Sequence, residues 1–200
     1  FQQEFNSTFE ERGLTYEQAL KAKRILRNDK LTLAGLLFFG EYPQNFRPAF
    51  CIKAVSFFGN EIGGNQYRDS KDIVGTIPEM FEDGLRFLTA NLHQIQVGQN
   101  FNTVGKLEIS RIALEEILQN ALLHRDYYKN APVRILIFDN RVEIISPGKL
   151  PNSLTVEEIK FGNPVIRNNQ LVAFGSKLMP YRGLGSGVSR SIDEQPNLEL

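Results

Sequence analysis

Between Ala131 and Ser146 the chain reads APVRILIFDNRVEIIS, and this stretch constrains its fold more than any other. Val133 to Phe138 and Val142 to Ile145 are dense in β-branched and apolar residues, with the turn-forming pair Asp139-Asn140 between them. That pattern predicts a hairpin of two half-buried strands. A hairpin cannot bury its apolar face alone, so helices or further strands must cover it. Helix-period segments flank it on both sides: about Ser110 to Arg125, then NNQLVAFGSKLM with Asn168 or Asn169 as its cap. The expected class is therefore α+β, a mixed or antiparallel sheet covered by helices on one face, preceded by a smaller α/β segment.

The N-terminal half supplies the rest. Thr15 to Arg27 keeps helical spacing of apolar residues behind a plausible cap, and LTLAGLLFFG predicts a short buried helix that Gly40 ends. Ala49 to Phe58 has strand composition, whereas GNEIGGNQYRDSKD predicts a polar loop. Thr76-Ile77-Pro78-Glu79 is a capping box with proline in the first turn, opening a helix through Phe81, Leu85, Leu88 and Leu92. VGQNFNTVGKLEI predicts a turn-rich crossover with a short strand at Lys106 to Ile109, and Thr155 with Glu158 a second capping box. Three units are expected: 1–30, 31–105 and 106–200.

Composition excludes several roles. Twenty-three basic and twenty-three acidic residues give no net charge, hence no overall electrostatic footprint for nucleic acid or an anionic membrane. A basic face at Lys21, Lys23, Arg24 and Arg27 reads as solvated surface. No apolar run is long enough to span a bilayer, so no membrane role is expected. The single Cys51 and two distant histidines cannot frame disulfides or a zinc site, and a cytoplasmic protein is expected. The first residues carry no signal-peptide pattern, and without an initiating Met the chain is expected to begin inside a longer polypeptide.

The segment EEILQNALLHRDYY carries the candidate chemistry. Glu116, Asn120 and His124 recur every four residues, which places them within about an 80° arc of a helix. Leu114, Ile117, Leu118 and Ala121 occupy the neighbouring arc, facing the sheet. The polar stripe thus lies at the edge of the core, where a cleft would open. A carboxylate can orient or deprotonate water, the Asn carbonyl is a neutral hard ligand for Mg²⁺, and imidazole can meet phosphate oxygens. Spacing alone leaves the ordinary alternative open: solvated polar groups along a helix edge. Downstream, Gly183, Gly185 and Gly187 alternate just before a possible helix, an arrangement whose backbone N–H groups can hold anions.

These pieces resemble the GHKL ATPase fold of histidine kinases, gyrase-type topoisomerases and Hsp90-like chaperones. Glu116, Asn120 and His124 look like its N-box, and RGLGSGV is similar to its glycine-rich G2 box. NALLHRDY, FDNRVEIISPGKLP, GNPVIRN and YRGLGSG, in that order, resemble a divergent HATPase_c_4-like branch found in transcriptional regulators and RecG-related proteins, which also carry an AlbA-like (Schlafen-type) DNA-binding domain.

The resemblance implies ATP or another nucleotide as ligand, with Mg²⁺. Glu116 would be the catalytic or water-orienting residue and Asn120 the metal ligand. His124 and Arg125 would face phosphates, and the three glycines would donate backbone N–H groups. Ser146 and Gly148 stand where the G1 box has its Asp and first Gly, so the carboxylate that accepts from adenine is replaced by a hydroxyl. At most a weak ATPase is expected; no phosphate-binding loop of the helicase kind is present. DNA would be contacted through regions outside this chain, and a second copy in a homodimer is the other expected partner. A degenerate fold serving as a ligand-free dimerisation or docking scaffold is the alternative reading. Residues 1–30 would end the upstream DNA-binding region, and 106–200 would be a GHKL-like domain cut short at its C-terminus.

Overall fold

The computed structural model describes residues 13–63, 66–96, 105–151, 154–162, 165–181, 183 and 185–200. Helix α1 (Tyr16–Ala22) starts from Thr15, whose side chain accepts from Gln18 in a full capping box. It ends earlier than periodicity predicts. Arg24 enters the left-handed region at φ 57°, and β1 (Leu26–Arg27) pairs with β2 (Lys30–Leu31) around Asn28 and Asp29, both also at positive φ. Two such residues in a row make the tight turn that suits a two-residue hairpin.

Thr32 caps α2 (Leu33–Phe39), which buries Ala34, Leu37 and Phe38, and α3 (Pro43–Phe46) follows. Strand β3 (Ile52–Phe57) alternates buried and partly exposed residues. Its partner β4 (Tyr67–Ile73) occupies part of the predicted polar loop, exposed at every position but Ile73. It is an edge strand held by backbone pairing to β3. Its charged side chains protect that edge from adventitious pairing.

Helix α4 (Ile77–Asn91) begins at the predicted capping box. The pair β5 (Gln94–Gln96) and β6 (Gly105–Leu107) then leads to α5 (Arg111–Leu123). The predicted crossover's residues 97–104 lie outside the described residues. The predicted hairpin forms as β7 (Val133–Ile137) and β8 (Val142–Ile145). Short α6 (Val156–Lys160) starts at the Thr155 capping box, and α7 (Asn169–Leu178) and α8 (Gly187–Glu194) complete the described elements.

The main sheet has order β4-β3-β7-β8, with β3 and β7 parallel and the outer pairs antiparallel. Ile52, Ala54, Val133, Ile135 and Ile137 are buried on one face. There α4 comes close because Gly84 has no side chain: a Cβ would stand 3.1 Å from Leu118 and 3.3 Å from Ile52. Helix α5 lies beside it, burying Leu114, Leu118 and Leu122. This is the expected α+β class with a mixed sheet. Backbone pairing and packing run across the positions of the expected unit boundaries. The one at 30/31 falls inside the β1–β2 hairpin, and the one at 105/106 is crossed by β3–β7 pairing and by one continuous core from Ile25 to Met179.

Candidate functional site

Helix α5 runs along one wall of an open cleft of about 1290 Å³, with β8 and the segment after it opposite and the Gly183–Gly187 turn at one end. Glu116, Asn120 and His124 all line it, as do Ser146, Gly148, Gly183, Gly185 and Gly187. The stripe is therefore a cleft wall and not solvated surface. Apolar Ile117, Ile144, Leu150 and Val165 share the lining. Such mixed walls suit a flat apolar group with polar groups at one end.

Glu116 is buried and forms an ion pair with Arg190 of α8. His124 is the C-cap of α5 instead of a residue within it, its N–H donating to the Asn120 carbonyl at 3.0 Å. Its Nε2 lies 2.9 Å from the Tyr181 hydroxyl. Burial, followed by the positive charge of Arg167, holds the imidazole below its ordinary pKa, so it is neutral at pH 7. The Ser146 hydroxyl donates to the Ala121 carbonyl at 2.8 Å, which leaves its oxygen lone pairs free to accept from a ligand amino group. Gly183 and Gly185 adopt φ 67° and 76°, the left-handed backbone that favours glycine. Gly148, at φ 121°, is tighter still: a Cβ there would stand 2.5 Å from that of Asp126.

Arg125 corrects the sequence reading. Only 2% exposed, it does not reach the cleft. Its guanidinium stacks 4.4 Å from the Phe50 ring centre and 4.8 Å from that of Tyr127, and donates to the Lys129 and Ala131 carbonyls. It is a brace beneath the loop after α5 and cannot face phosphates. Asp126 and Tyr127 brace the helix end: Tyr127 donates to the Leu122 carbonyl and Asp126 accepts from the Tyr128 N–H.

Three cleft residues escaped the sequence reading: Arg167, Tyr181 and Arg190. Arg167 pairs with Asp126 at 3.3 Å and donates to the Lys149 carbonyl, clamping the Gly148 turn. Of the two expected caps, Asn168 is the N-cap residue of α7, but its side chain makes no capping bond and donates to the Leu123 and Arg125 carbonyls, satisfying the C-terminal end of α5.

The donor set can be tested against the implied ligands. Among the described residues no group of three His, Cys, Asp or Glu side chains could hold a metal ion. A lone Asn oxygen nonetheless suits Mg²⁺, which keeps waters and takes most other ligands from a bound phosphate chain. The Gly-rich turn and the neutral imidazole fit such a chain. Magnesium would be held by Asn120 together with the ligand's own oxygens, and would supply charge neutralisation there.

Residues 130–200 match the HATPase_c_4 family model, described as "Putative ATP-dependent DNA helicase recG C-terminal". This supports an ATPase-like domain in the C-terminal part of the chain. The match covers β7, β8 and the elements after them, and begins after α5. The fold is similar to that of the DIP2311 protein from Corynebacterium diphtheriae, with TM-score 0.68 and 23% identity over 94% of this chain. The chain spans 37% of that protein's length. No curated protein matches it. Among the described residues, no helix is long and apolar enough to cross a membrane.

The depressed His124 pKa has a pH signature. Between its folded value and about 6.5, the unfolded chain binds more protons than the native one, so stability rises with pH through that window. His124→Gln is expected to flatten this part of the stability–pH curve, measured by urea unfolding between pH 5 and pH 7. An unchanged slope would show that His124 does not carry it.

Proposed function

We propose that the cleft binds a nucleotide, ATP with Mg²⁺, as a regulatory ligand. The observation that carries this is the convergence of the α5 stripe and the Gly183–Gly187 turn on one cleft. In this reading Asn120 coordinates the metal, while the neutral His124 and the backbone of the glycine turn meet phosphate oxygens. Ser146 accepts from the base, and Glu116 orients water. With a hydroxyl in place of the G1 carboxylate, base selection is weaker than in full GHKL ATPases, and turnover is at most slow. The chain would be part of a cytoplasmic transcription regulator, acting as a homodimer whose DNA-binding regions lie outside these residues.

A second reading, a ligand-free scaffold, is favoured by one contact: Glu116 is held by Arg190, so its carboxylate is not free to work on water. Thermal unfolding with millimolar ATP, ADP or GTP, each with and without Mg²⁺, decides between them. A ligand that binds only the native state must raise the midpoint. A Mg²⁺-dependent rise is the expected result. No rise with any nucleotide, in folded protein, would leave the scaffold.

A further inference from the structure

The Glu116–Arg190 pair joins two elements that the cleft would need to offer a ligand. Arg190 lies one turn into α8, its own N–H bonded to the Ser186 carbonyl at 2.9 Å. The Glu116 side chain is only 8% exposed, that of Arg190 40%. Glu116 also reaches the first residue of α8, for a Cβ on Gly187 would collide with its Oε2. Gly187 is thus what lets a carboxylate approach that helix end. Ser186 provides no side-chain cap there. The start of a helix and a guanidinium one turn on together favour an anion. The anion already in place is the protein's own.

The arginine is also incompletely used. Its Nε is shut off from solvent and has no hydrogen-bond partner among the described residues. Two other cleft guanidiniums are committed elsewhere, Arg141 to Glu143 and Arg167 to Asp126. A phosphate group, with three acceptor oxygens, could satisfy both edges of Arg190 and the α8 N–H groups at once, which one carboxylate does not.

We propose that Glu116 occupies the cleft's anion subsite as an internal stand-in, and that a ligand phosphate displaces it from Arg190. Binding is then a competition between carboxylate and phosphate, and Glu116 becomes free to act on water only once the ligand is seated. The inference rests on the cleft being a phosphate-ligand site. It reconciles the intact stripe with a carboxylate that is tied up in the unliganded chain.

Inorganic tripolyphosphate is the probe, because it needs no base recognition. Titration calorimetry would compare wild type with Glu116→Gln, Glu116→Asp and Arg190→Ala. Removing or shortening the competitor should tighten tripolyphosphate binding by about tenfold or more, and removing the receptor should weaken it by at least as much. Glu116→Asp serves if Glu116→Gln does not fold. If the pair were simply a brace between α5 and α8, the Glu116 variants would lower the melting temperature and leave the affinity unchanged or weaker, which overturns the proposal. Absence of binding in wild type and both Glu116 variants overturns it too, whatever nucleotides do. Tighter binding by those variants with no response to any nucleotide would keep the exchange and discard the nucleotide reading.

Discussion

Arg125→Ala is expected to lower the unfolding free energy by about 3 kcal/mol, which combines a large buried cavity with unsatisfied backbone acceptors. The guanidinium packs against both Phe50 and Tyr127, whose rings meet edge to face with centroids 5.1 Å apart. Its Nη2 donates to carbonyls of the loop that carries the chain from α5 to β7. Truncation removes the donor that those carbonyls use. Lysine is no substitute, because an ammonium lacks the planar fork that stacks and donates together. Urea unfolding checks the magnitude, and the folded fraction of the variant should keep the wild-type ligand response. A loss of under about 1 kcal/mol with abolished phosphate binding would return Arg125 to the cleft.

How far this could be read from sequence depends on the range of the interactions involved. The β7–β8 hairpin, the Thr76 and Thr155 capping boxes and α5 are set by neighbours in the chain, and all were legible. Strand β4 was not: its exposed faces carry Tyr67, Arg68, Asp69, Ser70, Lys71 and Asp72 without apolar alternation, and only pairing with β3 makes it a strand. The parallel pairing of β3 with β7 was hidden for the same reason, since it joins segments separated by two helices. In the cleft, four-residue spacing located Glu116, Asn120 and His124 on one wall. Spacing could not locate Arg190, which meets Glu116 only when α8 folds back on α5. Nor could it separate His124 from Arg125: adjacent at a helix end, they diverge because the chain leaves helical geometry there, one turning to Tyr181 and the other to Phe50.

Asn120→Ala is expected to abolish the Mg²⁺-dependent part of ligand stabilisation, which for wild type amounts to about 2.7 kcal/mol at a ligand concentration one hundred times Kd. Asn120 is half-buried on the cleft wall, and its Nδ2 lies 3.7 Å from where a Cβ on Gly187 would stand, so it faces the glycine turn. Truncation there removes one neutral oxygen ligand without opening the core behind it. The unliganded variant should therefore unfold within about 0.5 kcal/mol of wild type. Asn120→Asp separates coordination from shape, because a carboxylate still offers an oxygen to Mg²⁺ while adding a negative charge near Glu116 and the phosphates. It should retain Mg²⁺ dependence with weaker overall binding. Unfolding midpoints for the three proteins, each with nucleotide and with Mg²⁺ or a chelator, give the comparison. If Asn120→Ala keeps the full Mg²⁺-dependent shift, the metal is held elsewhere. If it loses several kcal/mol without any ligand, the side chain is part of the packing between α5 and the glycine turn and not a ligand.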